Sequence, residues 1–420
     1  MRRVGAAEWT TAEYRDLLAA FVRGVNDHGS AIDQLRARMR SIFGDRPLFF
    51  ANRGRHAIEL ALRAFAEERI GRTEVIVPAY ICPCVVEAIE RADLTPVAAD
   101  IRDDLNIDPH EVEARITDRT LAVVVAHMYG CPAQIAEIEQ LCQRRGILLV
   151  DDAAQLAGLA IGDRPAGTFG ACGLVSFSLS KTIVAGSINA GAILIANDPS
   201  FEARLRRRWE TLPDGRYSLS DLAQFLAQGP LYPEFSTISY RLQKIWRPSR
   251  AAGDERGERP WNPGQMANAS AILALRQIDT MATRMAGRIR VAHDYHDHLV
   301  EDGSLAMPQY APGRYLTRII MRLPQDAAPP QVRSLLAHRG IQTRLGYEVQ
   351  PRFQRTMPRA AAVARRLLEL PIHSQMRPDE IASIVTTLRN AIGETADGPR
   401  SRRAGTPEIS QSRSITAGQE

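Results

Sequence analysis

The chain has 420 residues, 45% of them hydrophobic and 24% charged, with a formal net charge of +5. That length exceeds one typical domain and that composition excludes global disorder, while a mild charge carried by scattered arginines argues against nucleic-acid binding. No run approaches the ~18 apolar residues of a membrane span, five cysteines are too few for a disulfide scaffold, and residues 1–10 lack the apolar core of a secretory leader, so a cytoplasmic protein is expected.

Two helices are predicted at 11–23 and 30–43. Short β-rich runs follow at 47–50, 74–77, 96–100, 121–126, 147–151, 173–178 and 191–196, with helix-period segments such as 56–68 and 135–144 between several of them. This alternation predicts an α/β fold, a largely parallel sheet with helices on its faces, whose ligands collect at the carboxyl ends of the strands. Residues 201–244 read as helical and arginine-rich, and 264–299 as one long helix. Strands at 314–323 and 342–345, with helices at 330–338 and 379–392, predict a smaller α+β domain. The expected organisation is an N-terminal helical segment (1–45), a large domain (46–247), a polar linker (248–263), a small C-terminal domain (264–392) and a disordered tail (393–420).

Of the 53 basic residues only Lys181 and Lys244 are lysine. Where surface charge is carried by guanidinium, a retained lysine points to a need for an amine that can lose its proton and attack a carbonyl. Lys181 closes Ser176-Phe-Ser-Leu-Ser-Lys181 after a strand-like run, whereas Lys244 lies in an ordinary amphipathic basic stretch. Leu149-Val-Asp-Asp-Ala-Ala-Gln155 runs an apolar strand into two carboxylates, one of which suits a pyridinium proton. Asn52-Arg-Gly-Arg-His-Ala57 opens a helix whose free N–H groups suit a phosphate. Ser178-Leu-Ser-Lys181 also satisfies the Ser-x-x-Lys spacing of a serine/lysine hydrolase, but the companion Ser-Asp-Asn and Lys-Thr-Gly motifs are absent. Cys82-Pro-Cys84 has no second Cys or His pair nearby, so no metal is expected.

Taken in order, these motifs resemble the DegT family of pyridoxal-phosphate-dependent sugar aminotransferases, of the aspartate-aminotransferase fold type I class. Further matching pieces are Gly54-Arg-His-Ala-Ile-Glu-Leu-Ala-Leu62, Glu74-Val-Ile-Val-Pro-Ala-Tyr80, Leu105-Asn-Ile-Asp-Pro109, His127-Met-Tyr-Gly-Cys-Pro-Ala133 and Leu370-Pro-Ile-His373. The resemblance implies pyridoxal 5'-phosphate as cofactor, with Lys181 forming the internal aldimine and shuttling the proton and Asp152 on the pyridine nitrogen. Gln155 would meet the phenolic oxygen, and Ser176, Gly54, Arg55 and His56 would hold the phosphate. It also implies a homodimer that takes an amino group from L-glutamate or glutamine to a keto group on a nucleotide-linked sugar or a cyclitol.

Several positions depart from the family pattern. Arg55 stands where Thr or Ser is usual, and Cys82 where an aromatic stacks on the cofactor, leaving Tyr80 as a substitute. Asn189 and Ala190 replace an acid and a glycine after the lysine. Rival readings are a dehydratase/aminotransferase forming an aromatic amine and a non-catalytic regulatory protein of the same fold. Retention of Lys181 argues against the family's sugar dehydratases, which carry His there. The apolar segment 222–246 is expected to cover a dimer interface near the site.

Overall fold

The computed structural model describes residues 8–186, 189–228, 261–300 and 306–396. Residues 393–396, expected to open the disordered tail, close the helix Pro378–Ala396, whereas most of the 222–246 segment, Lys244, residues 248–260 of the expected linker and residues 397–420 lie outside the described residues. So do positions 187 and 188.

All seven β-rich runs are strands of a single sheet. In chain order the strands are β1 (Leu48–Ala51), β2 (Glu74–Pro78), β3 (Thr95–Ala99), β4 (Thr120–Ala126), β5 (Leu148–Asp152), a short hairpin of β6 (Ala160–Ile161) and β7 (Arg164–Pro165), then β8 (Cys172–Ser176) and β9 (Ala192–Ala196). The seven-stranded order is β1-β9-β8-β5-β4-β2-β3, with β9 antiparallel to both neighbours and the rest parallel in sense. β4 is buried along its whole length, as an apolar strand covered on both faces must be. Helices at Gly54–Glu68 and Pro83–Arg91 pack on one face, and the helix at Ile135–Arg145 on the other.

The first helix, Thr11–Val22, starts on a capping box in which Thr10 and Glu13 exchange bonds. The helix Ile135–Arg145 ends on Gly146 in the left-handed conformation. The helix Pro83–Arg91, which the pattern did not suggest, opens with proline in its first turn.

The long helix expected over 264–299 is two helices, Asn268–Asp279 and Met281–Val300. They part at Thr280, whose hydroxyl accepts from Arg284 Nε at 3.2 Å. A β-branched residue with a competing side-chain bond is a natural place for a helix to break. The first helix shares a core with β1, β8 and β9. The second contributes Val291, Ala292, Tyr295 and Leu299 to a separate core. That second core backs a three-stranded antiparallel sheet, β10 (Ile319–Arg322), β12 (Leu367–Leu370) and β11 (Arg344–Leu345), in that order. The strand expected over 314–323 is shorter because Thr317 N donates to Tyr129 O instead, at 2.9 Å. That bond ties this region to the end of β4. Gly130 permits the approach, since a Cβ there would lie 2.9 Å from the carbonyl oxygen of Tyr315.

Candidate active site

The strand ends Ala51, Pro78, Ala126, Asp152 and Ser176 all lie at one edge of the sheet, because β1, β2, β4, β5 and β8 run in the same sense. The loops that leave this edge carry every residue singled out around Lys181.

Strand alternation sends Asp151 and Asp152 to opposite faces. Asp151 is fully buried and saturated: it accepts from Gly167 N at 2.6 Å, Phe169 N at 3.2 Å and His127 Nε2 at 3.0 Å. His127 Nδ1 accepts from Ala133 N at 3.0 Å, so the ring proton sits on Nε2 and points at Asp151. Asp151 therefore stitches the strand to two loops. Asp152 is buried too, yet among the described residues its hydrogen bond is a single one, from Ala154 N at 3.1 Å. Burial raises the pKa of its carboxyl above the ordinary value, and the charge of Lys181 pulls the other way.

Lys181 is the sole lysine among the described residues and is half-buried. It lies in a loop closed by a bridge between Ser178 and Gly186 and by Ala185 N donating to Phe177 O at 2.7 Å. Trp9 Nε1 pins that loop through Val184 O at 2.7 Å. Ser180, immediately before the lysine, sits at φ 63°, a left-handed conformation that costs a non-glycine residue about 1–2 kcal/mol. The surrounding bonds hold the turn that sets the lysine stem.

The third group forms a cradle. Gly54 is the first residue of its helix, and a Cβ there would lie 3.3 Å from Ser176 Cβ and 3.4 Å from Ser176 Oγ. Glycine thus keeps a helix N-terminus open against a buried serine, whose hydroxyl is 3.3 Å from that of Ser178. Arg55 lies over the Trp261 ring at 4.5 Å and Arg91 over the same ring at 4.6 Å.

His56, expected among the residues that hold the phosphate, has its Nδ1 2.6 Å from Asn52 Oδ1 and its Nε2 buried without a partner among the described residues; burial first, then Arg55, Arg53 and Arg91, push its pKa down to about 3. Because the folded value lies below the ordinary 6.5, the unfolded chain binds more protons between the two. The corresponding stability is present above pH 6.5 and lost as pH falls toward 3. His56→Phe is expected to flatten the acid-side fall of the melting temperature in this window; an unchanged slope would show that His56 does not contribute.

Gln155 is buried and takes the hydroxyl of Thr317 on Oε1 at 3.2 Å, while its carbonyl oxygen accepts from Thr182 Oγ1 at 3.3 Å. Tyr80, expected as a substitute stacking ring, is fully enclosed. Its hydroxyl lies 2.8 Å from that of Tyr129 and accepts from Tyr347 N at 3.1 Å. A ring without exposed surface offers no face to a ligand, so Tyr80 supports the site from behind. Asn189, a further cofactor-binding candidate, follows Lys181 in the same stretch of chain. Its side chain donates to Asp221 at 3.4 Å and its carbonyl oxygen accepts from Ser270 at 2.6 Å, bonds that face the helical layer. The thiol of Cys82 feels the charge of Lys181.

Sequence reasoning missed Thr317 and the role of Tyr347. Tyr347, two residues past β11, donates its N–H to the Tyr80 hydroxyl and stacks on Tyr129 at 6.0 Å between ring centres, and Cys82, Cys84 and Asp152 act on its hydroxyl. No local signal announces either, since each acts across more than 150 positions of chain.

The family model of the DegT/DnrJ/EryC1/StrS aminotransferases matches residues 10–389. The chain belongs to this family. It is an aminotransferase, and the family's enzymes depend on pyridoxal phosphate. Among its relatives is a UDP-N-acetyl-3-dehydro-alpha-D-glucosamine 3-aminotransferase of Acidithiobacillus ferrooxidans, 28% identical over 350 residues, which cover 81% of this chain and 82% of that protein. An L-glutamine:2-deoxy-scyllo-inosose aminotransferase of Streptomyces kanamyceticus is 31% identical over 195 residues, 44% of each chain. The fold matches Helicobacter pylori PseC, an aminotransferase of pseudaminic acid biosynthesis, with a TM-score of 0.74 at 15% identity over 94% of this chain and 99% of that one. Among the described residues of this aminotransferase, no helix is long and apolar enough to cross a membrane, and no cluster of three metal-binding side chains occurs.

Proposed function

We propose that this aminotransferase uses pyridoxal 5'-phosphate to move an amino group from L-glutamate or glutamine to a keto group of a nucleotide-linked sugar. The nucleotide-linked acceptor rather than a cyclitol is favoured by two relatives that align over about four-fifths of both chains, each named for a nucleotide-linked sugar. The observation that carries the reading is the meeting, at one sheet edge, of Lys181, the buried and sparsely bonded Asp152, and the open helix N-terminus at Gly54 against Ser176.

These residues fit the cofactor. The Gly54 cradle accepts a phosphate on backbone N–H groups and the Ser176 hydroxyl, with Arg55 adjacent in charge. Asp152 lies in an environment that resists a lone carboxylate, so a pyridinium cation there would relieve it. When bound, the cofactor supplies an electron-withdrawing ring that lets the C–H bond beside the substrate nitrogen ionise. Lys181 supplies the amine that holds the cofactor, and once released it takes that proton and returns it elsewhere as general base and acid. Asp152 would keep the ring nitrogen protonated, and Gln155, whose Oε1 accepts from Thr317, would hold the ring's oxygen side. The protein is expected to act as a homodimer in the cytoplasm.

Gly54→Val is expected to crowd the cradle by about 1–3 kcal/mol, weakening cofactor binding about tenfold or more. Titration of the apoprotein with pyridoxal phosphate reads this directly, and unaltered affinity would remove the cradle from the site. The reaction itself is tested by offering glutamate and then a panel of UDP- and dTDP-linked keto-sugars to the purified protein. Amination of none of them, but of a free cyclitol ketone, would reverse the choice of acceptor.

A further inference from the structure

Cys82 and Cys84 flank Pro83 at the start of the helix Pro83–Arg91, with Cys82 as its N-cap residue. Their sulfur atoms lie 3.0 Å apart, between a bonded separation of about 2.05 Å and an ordinary non-bonded contact. Both are unbridged and partly exposed, whereas Cys131, Cys142 and Cys172 are buried. The pair lies within electrostatic reach of the strand-end residues: the charges of Lys181 and Asp152 act on both thiols, and both thiols act on Tyr347.

We infer that Cys82 and Cys84 form a reversible dithiol–disulfide site that gates the cofactor space beside Lys181, with low-molecular-weight disulfides as its oxidants. The second part of this inference, the gating, rests on the function proposed above. The bond between the sulfurs lowers the pKa of Cys82, burial opposes this, Lys181 adds to it, and Cys84 is raised in turn. Cys82 is thereby the attacking thiolate and Cys84 the resolving thiol. Cys82 Sγ attacks one sulfur of the external disulfide and expels the other as a thiolate, giving a mixed disulfide. Cys84 then loses its proton and attacks Cys82 Sγ, expelling the second external thiolate. The two cysteines give up two electrons and two protons, and the external disulfide becomes two thiols. Closure removes the thiolate charge that interacts with Lys181 and fixes residue 82 at the head of the helix Pro83–Arg91. Displacements of about 1 Å in such a place cost turnover heavily.

The full-length protein, with and without pyridoxal phosphate, is treated with hydroxyethyl disulfide and separately with oxidised glutathione, then mapped by mass spectrometry under non-reducing conditions. The cofactor-free sample is expected to lose two hydrogens on the peptide that holds Cys82 and Cys84, faster than any of the three buried cysteines reacts, and to recover them with dithiothreitol. Cys84→Ser should stop at a mixed disulfide on Cys82 and leave reduced turnover unchanged. In the holoenzyme, oxidation should lower turnover on the order of tenfold, reversibly, and not in Cys84→Ser once the adduct is removed. Failure of the 82–84 bridge to form, or reaction at the buried cysteines first, would overturn the site. A bridge that forms without altering turnover would overturn the gating. The mass readout needs no cofactor, so failure of the proposed function leaves it interpretable.

Discussion

Lys181→Ala is expected to lower turnover by about 10⁴-fold and to abolish covalent retention of the cofactor, while the melting temperature of the apoprotein changes little. The lysine is half-buried in a loop whose closure depends on backbone bonds and on Trp9 rather than on its own ammonium group. Lys181→Arg should do no better, because a guanidinium that stays charged neither bonds covalently to an aldehyde nor carries a proton back and forth. Single-turnover absorbance of each variant with glutamate measures the loss. A variant within tenfold of the wild type would remove Lys181 from the chemistry, and a collapsed melting temperature would show that it is a structural residue.

The paired aspartates should separate into two phenotypes. Asp152→Asn is expected to cut turnover about 100- to 1,000-fold without destabilising the apoprotein. The sign follows from the direction of its pKa: the folded value lies above the ordinary 3.8, so the native state holds the proton more tightly than the unfolded chain does. Stability from this group is full below pH 3.8 and falls as pH rises through the folded value. An amide at 152 escapes that loss, so the apo-variant should melt at or above the wild-type temperature at neutral pH. Asp151→Asn places NH₂ hydrogens among groups that already donate, two backbone N–H groups and the His127 ring. Disrupting such a buried set costs about 1–3 kcal/mol, so the variant should melt lower and still turn over per folded molecule. Reversed phenotypes would mean that the two faces of β5 have been exchanged.

The sheet was legible in the sequence because its strands other than the edge strand β3 are apolar runs buried nearly throughout, and because several segments between strands have helical period. Lys181 stood out in the sequence as one of two lysines among 53 basic residues, and Asp152 as a carboxylate at the end of an apolar run. The helix break at Thr280 was not legible. Apolar residues continue at helical spacing across it, and what differs is the core that each half joins. β12 was hidden as well, since Leu-Leu-Glu-Leu follows the helix Pro358–Ala364 with no turn residue between, and its place in the middle of the small sheet is set by partners far away in the chain. Tyr80 looked like a substitute for the stacking ring because it lies two residues from the expected position. Its burial is decided by Tyr129 and by Tyr347, which follows β11.

Borohydride reduction of the protein loaded with pyridoxal phosphate, followed by peptide mapping, tests the central claim most directly. The reduced cofactor should be found on the peptide that contains Lys181, at close to one per chain, with the absorbance band of the loaded protein lost in step. Attachment to Lys244, or retention of no cofactor at all, would contradict the account.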